Sequence, residues 1–531
     1  MASASAGKPP GTASGPGVVR GTVMRRPFVV LALVVVVVGL AVAESGGGGS
    51  RPGEAPAGWG ITSAAPGPNA RGGVWYCTAG TSMPGEIADH SVTVINPSPD
   101  PVTATVTVFP VTPGGSGSAS AAPQEVTLAV PARSEVSLRL AEVVVSQYTA
   151  ALVEIDSGQA TVEQRVQGPT GTDATACATR SSTVWHFPAG STRRDARLIF
   201  TLFNPFRDRA VARFTFSTDE GIREPSALKG VLVPPRSLVV VNATDAVPRF
   251  SSVSTTIESP AGRIVAGRLQ LFDGSEGLEG LTAGAGIAEP QTRWALPGGP
   301  TGGGVVEHIV LYNPSGEVAD TGINIRLDAP ESARTVAPLD VQVPPHQRVV
   351  LVLGSPGPYP LPPAPHTYYV GDQLPGGSGF WAAVQVFNGV PIVVERVVAA
   401  PALSSPAGVG ITAGTAVTAV RHLITGSRAG GTGVALAVVN PSPDSIVQIT
   451  VSRIADGRVV PVARLDPREL GPRSRLIVPV DRLTSGDSYA LLVESTRPVA
   501  VTRSLMSPSG TGLASSTSVP FDPTFLDISA F

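Results

Sequence analysis

Charged side chains are scarce in this chain of 531 residues, where they make up 15% of the total. Soluble domains average roughly 25%, and the net charge here is only −2. A nucleic-acid partner requires clustered cations that neutralise phosphates, and lysine occurs only as Lys8 and Lys229. The sequence therefore predicts no nucleic-acid partner.

Residues that carry catalytic or metal chemistry are also few. The chain has two cysteines and six histidines, and no histidine lies near another histidine or a cysteine at ligand spacing. No serine lies in a G-x-S-x-G turn, and no Gly-rich run continues into the Lys-Ser/Thr of a phosphate loop. We predict no metal, no cofactor and no enzymatic activity. A hydrolase whose catalytic residues are dispersed along the chain is the remaining alternative.

Long apolar runs are absent except for one, Phe28–Ala43. A basic leader, residues 1–26, precedes it, so residues 27–46 are predicted as a transmembrane anchor or a signal segment. An anchor gives a single-pass membrane protein with an extracytoplasmic carboxyl-terminal region. The A-x-A sequence that ends at Ala43 also fits cleavage there and secretion, and "RRPF" partly matches a twin-arginine signal. Every alternative exports the chain after about residue 44.

Two further predictions follow from export. Residues 47–70 are rich in Gly, Pro and Ser and are predicted as a disordered tether, because they cannot bury enough apolar surface to fold. Paired cysteines in exported proteins usually oxidise, so Cys77 and Cys177 are predicted to form a disulfide. Two free thiols are the alternative.

The chain contains an internal repeat marked by four landmarks in a fixed order: an opening aromatic residue, an Asn-Pro turn, a Pro-rich step before a strand, and an arginine in a closing strand. The opening positions are Trp75, Trp185, Trp294 and His422. The turn asparagines are Asn96, Asn204, Asn313 and Asn440. The closing arginines are Arg165, Arg268, Arg396 and Arg503. Four copies with the same landmarks predict one structural unit built four times.

Strand periodicity dominates each copy. In "VTATVTV", which begins at Val102, apolar residues alternate with Thr, which is typical of a half-buried strand. Six or seven such strands per copy predict an all-β fold of four tandem antiparallel β-sandwiches of immunoglobulin or fibronectin-III type. The predicted boundaries are 71–179, 180–288, 289–402 with an insert at 355–380, a linker at 403–417, and 418–531 with the carboxyl-terminal tail.

The landmarks resemble those of a family of actinobacterial exported or membrane-anchored proteins of unknown function. The third copy resembles it most, through "WALPGG", "LYNPSG", "VPPHQ" and "VVERV", and the resemblance covers roughly residues 71–515. It implies a surface-exposed, membrane-linked protein with β-sandwich repeats. The second copy departs from the pattern at Gly267, and the fourth departs at His422 and Thr502.

Each landmark has a structural and a functional interpretation. An asparagine can cap its own turn or bind a ligand, an arginine can pair with a carboxylate or line a groove, and a tryptophan can fill a core or form a sugar platform. The structural interpretation is the prediction in each case. The insert in the third copy gathers aromatic residues among prolines and is the candidate partner-binding loop. Its residues are Tyr359, His366, Tyr368, Tyr369 and Phe380.

The function predicted from these features is that of a non-enzymatic, extracytoplasmic cell-envelope protein. It would be a membrane-tethered array of sandwiches that acts as a scaffold or as an adhesion or binding module. A protein that binds wall polymer or glycan through exposed aromatic rings is the alternative, and an exported hydrolase comes third. The expected partners are the membrane, through the amino-terminal segment, and cell-wall polymer or another envelope protein.

Overall fold

The computed structural model of the chain describes a part of the sequence that begins at Thr62 and ends at Ile528. The described residues are 62–67, 70, 72–83, 85–111, 122–298, 305–328, 336–353, 366–370, 374, 379–402, 407–425, 433–462, 465, 467–480, 489–506 and 513–528. They form antiparallel sheets almost throughout, which confirms the predicted all-β fold. The predicted anchor at 27–46 lies outside these residues. No helix within them is long and apolar enough to cross a membrane.

The first sandwich has two sheets, and a one-turn 3-10 helix at Leu140–Glu142 precedes its sixth strand. The strands are β1 (Gly73–Cys77), β2 (Asp89–Asn96), β3 (Val102–Val111), β4 (Gln124–Val130), β5 (Ser134–Arg139), β6 (Tyr148–Ile155), β7 (Thr161–Gly168) and β8 (Gly171–Ala176). One sheet has the order β1-β6-β3-β4 and the other β5-β2-β7-β8. In β3 the side chains of Val102, Ala104, Val106 and Val108 are buried, because alternate residues face the opposite sheet.

The second sandwich repeats this path with a split fourth strand. Its strands are β9 (Val184–Phe187), β10 (Ala196–Asn204), β11 (Ala210–Thr218), β12 (Gly221–Arg223), β13 (Val231–Val233), β14 (Ser237–Asn242), β15 (Val253–Ala261), β16 (Val265–Asp273) and β17 (Glu279–Ala285). The sheets are β12-β11-β15-β9, with β13 also beside β11, and β14-β10-β16-β17. A 3-10 turn at Ser226–Leu228 and a short helix, α1 (Ala243–Ala246), lie in its connections.

The third sandwich follows the same path and gains a strand from the insert. Its strands are β18 (Arg293–Leu296), β19 (Val306–Tyr312), β20 (Ala319–Leu327), β21 (Leu339–Val343), β22 (Arg348–Leu353), β23 (Thr367–Tyr369), β24 (Phe380–Val386), β25 (Val393–Ala400) and β26 (Gly408–Ala413). The sheets are β18-β24-β20-β21 and β23-β22-β19-β25-β26. The insert strand β23 pairs with β22 in parallel.

In the fourth sandwich one long strand joins the two layers. Its strands are β27 (Val417–Thr425), β28 (Gly433–Val439), β29 (Val447–Ala455), β30 (Arg458–Pro461), β31 (Arg468–Leu470), β32 (Arg475–Pro479), β33 (Ala490–Met506), β34 (Leu513–Thr517), β35 (Val519–Phe521) and β36 (Thr524–Phe525). The first half of β33 pairs with β27 and β29, and its second half with β28 and β34. This continuous strand takes the positions that two consecutive strands occupy in the other sandwiches, such as β6 and β7 in the first.

Two stretches that were predicted to be a linker and a tether contain ordered residues. The predicted linker at 403–417 holds β26, which completes the second sheet of the third sandwich through its pairing with β25. The predicted tether at 47–70 extends too far toward the carboxyl terminus. Ala64 and Ala65 are buried, because the amide of Ala65 donates to the carbonyl of Pro520 and the amide of Thr179 donates to that of Thr62. Sequence composition alone marked both stretches as linkers because their residues are small.

The four sandwiches form a closed ring rather than an open array. The last strand of each second sheet packs against the corresponding strand of both neighbouring sandwiches, including the first against the fourth. We call these strands the hub strands: β8, β17, β26 and β34. They consist mostly of Gly, Ala, Ser and Thr. A Cβ atom at Gly280 of β17 would lie 2.7 Å from the amide nitrogen of Val409 in β26, so small residues are a condition of this packing.

Apolar contacts close each junction around the ring. Between the first and second sandwiches, the rings of Tyr76 and Phe109 lie 6.3 and 4.8 Å from that of Phe203. Between the third and fourth, Trp381 packs with the tail residues Leu526 and Ile528. The other two junctions are also lined by buried apolar residues from both neighbours. Burial of these surfaces, worth roughly 25 cal/mol per Å² of apolar area, makes the four sandwiches one body.

Candidate functional site

The Asn-Pro turns are built by the side chain of the asparagine itself. In the first sandwich Asn96 is fully buried, its Nδ2 donates to the carbonyls of Asp100 (2.8 Å) and Pro131 (3.0 Å), and its Oδ1 accepts from the amide of Ser98 (3.0 Å). The remaining three are equally buried and make the same kinds of bond. Their donors and acceptors are satisfied within the chain, which leaves none for a ligand.

Each Asn-Pro turn is locked to the Pro-rich step by a residue that sequence reasoning missed. In every sandwich a basic residue with positive φ donates its amide to the carbonyl two positions after the asparagine. These residues are Arg133, Arg236, His346 and Arg473. The recurrence of Arg or His after the prolines was the available signal. Because left-handed backbone costs a non-Gly residue roughly 1 kcal/mol or more, the bond must offset that strain.

We expect replacement of Asn440 by Asp to lower the free energy of unfolding by about 3 kcal/mol, because the new carboxylate would face the carbonyls of Ser445 and Gly471 without a proton to donate. Urea unfolding at neutral pH measures this. The exposed Asp444→Asn, in the same turn, is the matched control and should leave the midpoint unchanged. Equal midpoints for Asn440→Asp and wild type would contradict the capping role.

The aromatic landmarks lie in the core. Trp75, Trp185 and Trp294 have no exposed surface. The indole Nε1 of Trp185 donates to the carbonyl of Ile264 (3.0 Å), and that of Trp294 to the carbonyl of Ile392 (3.1 Å). The hypothesis of a glycan platform made of these rings is therefore wrong, because a sugar cannot stack on a buried indole.

His422 takes the place of tryptophan in the fourth sandwich and keeps its hydrogen bond. Its Nε2 lies 3.0 Å from the carbonyl of Val499, which occupies the position of Ile392 in the third sandwich. Its Nδ1 lies 2.8 Å from the hydroxyl of Ser518. This Ser–His contact lacks the carboxylate of a catalytic triad, and burial lowers the pKa of the imidazole to about 4, which makes it a weak base at neutral pH.

The closing arginines lie on the strands next to the hub strands, and two of them join neighbouring sandwiches. Arg268 makes a two-point ion pair with Glu395 of the third sandwich (2.9 and 3.1 Å) and donates to the carbonyl of Ala189. Arg503 pairs with Glu163 of the first sandwich (3.0 Å). All four charged groups are almost completely buried. Desolvated arginine–carboxylate pairs of this kind are strong only when their geometry is complete.

The other two arginines lie at equivalent positions of the first and third sandwiches. Arg396 pairs with Glu307 of its own sandwich. Arg165 is partly buried on β7, directly opposite Ala174 of the hub strand. Two additional ion pairs, which sequence reasoning missed, tie the start of a fifth strand to the preceding sandwich: Arg348 with Asp219, and Arg475 with Asp328. Sequence gave no signal for them, since 129 and 147 residues separate the partners.

Polar contacts also run around the hub itself. Asp173 of β8 accepts from the hydroxyl of Thr282 and the amide of Ala283 in β17, both at 2.8 Å. Thr412 of β26 donates to the carbonyl of Ser515 in β34 (2.7 Å). Burial raises the pKa of Asp173 to about 6, although these hydrogen bonds oppose the shift. These side chains thus bond backbone amides and carbonyls at the edges of the sheets, which could otherwise pair with strands of other molecules.

The hub encloses a cavity of about 80 Å³, lined by the four hub strands, by Arg268 and Glu395, and by Thr62 and Ser63. Its walls are largely polar, with serine and threonine hydroxyls beside Arg268 and Glu395, so its volume can hold a few water molecules that all find hydrogen-bond partners. Ser515 Oγ lies in it, buried and without a hydrogen-bond partner among the described residues. The described ranges contain no group of three or more metal-ligating side chains. The cavity suits internal water rather than a substrate.

We expect Arg503→Met to lower the free energy of unfolding by about 3–4 kcal/mol, because Glu163 would remain buried without its cation. The double variant with Glu163→Met should recover part of this loss. The exposed pair of Arg139 and Asp89 supplies the control, and Arg139→Met should leave the urea midpoint nearly unchanged. If Arg503→Met and Arg139→Met lowered the midpoint equally, the buried pair would not hold the first and fourth sandwiches together.

The candidate partner-binding loop is only partly displayed. Phe380 is buried at the start of β24, and His366 is half-buried, so neither ring is presented as the loop hypothesis required. Tyr359 lies outside the described residues. Tyr368 and Tyr369, on the edge strand β23, are 45% and 49% exposed. The loop prediction therefore reduces to these two tyrosines within the part of the insert that the structure describes.

Comparison with known proteins gives a family for part of the chain. Residues 156–327 match the model of a family of unknown function, DUF5719. The match runs from the closing strands of the first sandwich to β20 of the third, and so contains the whole second sandwich. No curated protein matches the chain. The chain thus resembles an uncharacterised family over about a third of its length.

Proposed function

We propose that the protein is a non-enzymatic platform of the cell envelope, held outside the membrane by its amino-terminal segment. One observation carries the proposal: the repeated landmarks are used to build and close a ring, rather than to form a cleft. The asparagines cap turns, the tryptophans fill cores, and two of the four closing arginines join neighbouring sandwiches. The polar residues of the repeats make contacts within the protein and stabilise a rigid body. Such a body is suited to hold or present other molecules.

The proposed location rests on sequence and on the disulfide. The apolar run Phe28–Ala43 follows a basic leader, and the disulfide between Cys77 and Cys177 fits an oxidising compartment. Residues 62–65, where the exported tether would end, lie against the hub, where the hydroxyl of Thr62 donates to the carbonyl of Gly286 and that of Ser63 to Cys177.

Cell fractionation and protease treatment of intact cells test this proposal. We expect the full chain in the membrane fraction, with the region after residue 44 digested from outside while a cytoplasmic marker survives. Cytoplasmic recovery of undigested chain would contradict it. A screen of esterase, peptidase and glycosidase substrates, with Ser518→Ala as control, tests the absence of enzymatic activity, and turnover lost in that variant would overturn it.

Binding to wall polymer is a second candidate, favoured by the exposure of Tyr368 and Tyr369 on an edge strand. Co-sedimentation of residues 52–531 with isolated cell wall tests it. We expect binding to fall at least tenfold when both tyrosines become Ala. Phe525→Ala, at another exposed aromatic position, is the matched control. Undiminished binding by the double variant would exclude these rings as the site.

A further inference from the structure

The junction between the second and third sandwiches contains a second cavity, of about 90 Å³, with a different chemistry from the hub. Its walls are mostly aliphatic or aromatic side chains from both sandwiches, and its polar lining residues are three serines, Gln270, His308 and Arg193. The wall residues include Phe272, Leu278, Val306, Val310, Val350 and Ala399. Apolar pockets at domain junctions are common small-ligand sites, and a volume far below their usual roughly 300–1,000 Å³ limits this one to a narrow ligand of few heavy atoms.

Two polar side chains lie among these apolar walls, and one of them, Gln270, already has its amide bonded to Ser191 and Arg197. His308 of β19 lines the pocket and is partly buried, and its imidazole makes no hydrogen bond to any residue within the described ranges. The corresponding positions in the other sandwiches are Ser91, Ile199 and Ala435, so the imidazole is particular to this junction. A neutral imidazole offers one donor and one acceptor. Burial holds it neutral, because it lowers the pKa of His308 to about 4.

The charges at the opening restrict the ligand further. Arg193 already pairs with both Asp195 and Glu276, at 3.2 Å each, so it leaves no uncompensated positive charge for an anionic ligand. Among the described residues no carboxylate lines the pocket itself to balance a cation, and transfer of an uncompensated charge into apolar surroundings is costly. The chemistry of the walls therefore favours an uncharged ligand with an aliphatic body.

We propose that this junction is a binding site for a slender aliphatic chain that ends in a neutral hydrogen-bonding group, such as a primary alcohol, with His308 as its polar contact. The aliphatic part lies against Val310, Val350 and Ala399, and the polar end bonds the imidazole. The site is a different cavity from that of the hub, although Ile411 of the hub strand β26 lines both, and it does not depend on the proposed location of the protein.

A titration of the full chain with 1-butanol, 1-pentanol and 1-hexanol, followed through the ring signals of labelled histidine, tests the proposal. We expect a saturable shift of the His308 signal and an affinity that rises about fourfold for each added methylene until the pocket is full. Hexanoate and hexylamine should bind at least tenfold more weakly than 1-hexanol. Absence of a saturable shift, or equal binding of the charged probes, would overturn it.

Filling the pocket provides the matched variant. Ala399→Leu should weaken 1-hexanol at least tenfold, whereas Ala129→Leu, the same change on the exposed face of β4, should bind as wild type does. Unfolding midpoints identify a variant that fails to fold, and Val350→Leu, at a wall position outside the hub strands, then replaces Ala399→Leu. Undiminished binding by a folded, filled variant would show that the ligand lies elsewhere and contradict the assignment.

Discussion

Between pH 6.5 and pH 4 the protein should lose most of its stability. Four buried or partly buried histidines, one in each sandwich, have pKa values lowered to about 4 by desolvation. They are His90, His186, His308 and His422. Because their ordinary pKa is about 6.5, the unfolded chain binds protons in this range that the folded protein does not, and stability falls as the pH falls.

Asp173 opposes this trend. Its pKa is raised to about 6 in the folded protein, so between pH 6 and about 4 the folded state binds a proton that the unfolded state has lost. Near pH 5 the unfolded chain therefore gains about three protons net, four from histidines less one at Asp173. The expected slope is about 4 kcal/mol per pH unit and the total about 10 kcal/mol, which is comparable to the whole stability of a typical domain.

Urea unfolding at pH 7.5, 6, 5 and 4.5, followed by far-UV circular dichroism, measures this dependence. His186→Gln should reduce the slope by about one proton's worth, roughly 1.4 kcal/mol per pH unit, because one buried imidazole is removed. His346→Gln, at an exposed turn, is the control and should leave the slope unchanged. A midpoint that stays constant from pH 7.5 to pH 4.5 would contradict the account of the buried histidines.

Loss of the disulfide should cost the second largest amount. Cys77 ends β1 and Cys177 directly follows the hub strand β8, and both sulfurs are buried. This bond, which confirms the pairing predicted from the sequence, closes a loop of 100 residues. In the chain-entropy model such a loop is worth about 4–5 kcal/mol. The double variant Cys77→Ala/Cys177→Ala should unfold at a correspondingly lower urea concentration.

The reduced wild-type protein provides the control for that variant. If the bond acts by restricting the unfolded chain, then unfolding wild type in the presence of a thiol reductant should give the same midpoint as the double variant. A double variant with an unchanged midpoint would mean that packing around β8 holds the hub without the covalent link.

The local parts of this structure could be predicted from the sequence. The alternation in "VTATVTV" indicated a half-buried strand, and the composition indicated an all-β fold. The cysteines indicated a disulfide. Strand periodicity depends on residues that are close in sequence, and disulfide formation depends on the compartment. Both can therefore be inferred without knowledge of the tertiary structure. The prediction for the insert was less successful. Phe380 is the first residue of β24 and is buried there, and the sequence of the insert does not show where that strand begins.

The ring could not be predicted, because its contacts are distant in sequence and its strands look like linkers. Glu395 lies 127 residues from Arg268, and Glu163 lies 262 residues from its hydrogen-bond partner Thr425. The hub strands are short and rich in Gly, Ala, Ser and Thr, which composition rules assign to loops. Their recurrence immediately after each closing arginine was the usable signal, since a strand that always follows another strand is part of the repeat.

Small-angle X-ray scattering of residues 52–531, the compact unit of the chain, tests the closed ring most directly. A single compact body of this length should have a radius of gyration of about 23 Å, by the scaling of folded domains. Four sandwiches in an open row, each about 35 Å across, would give about 40 Å. We predict the smaller value. A value near 40 Å would contradict the ring and restore the open array.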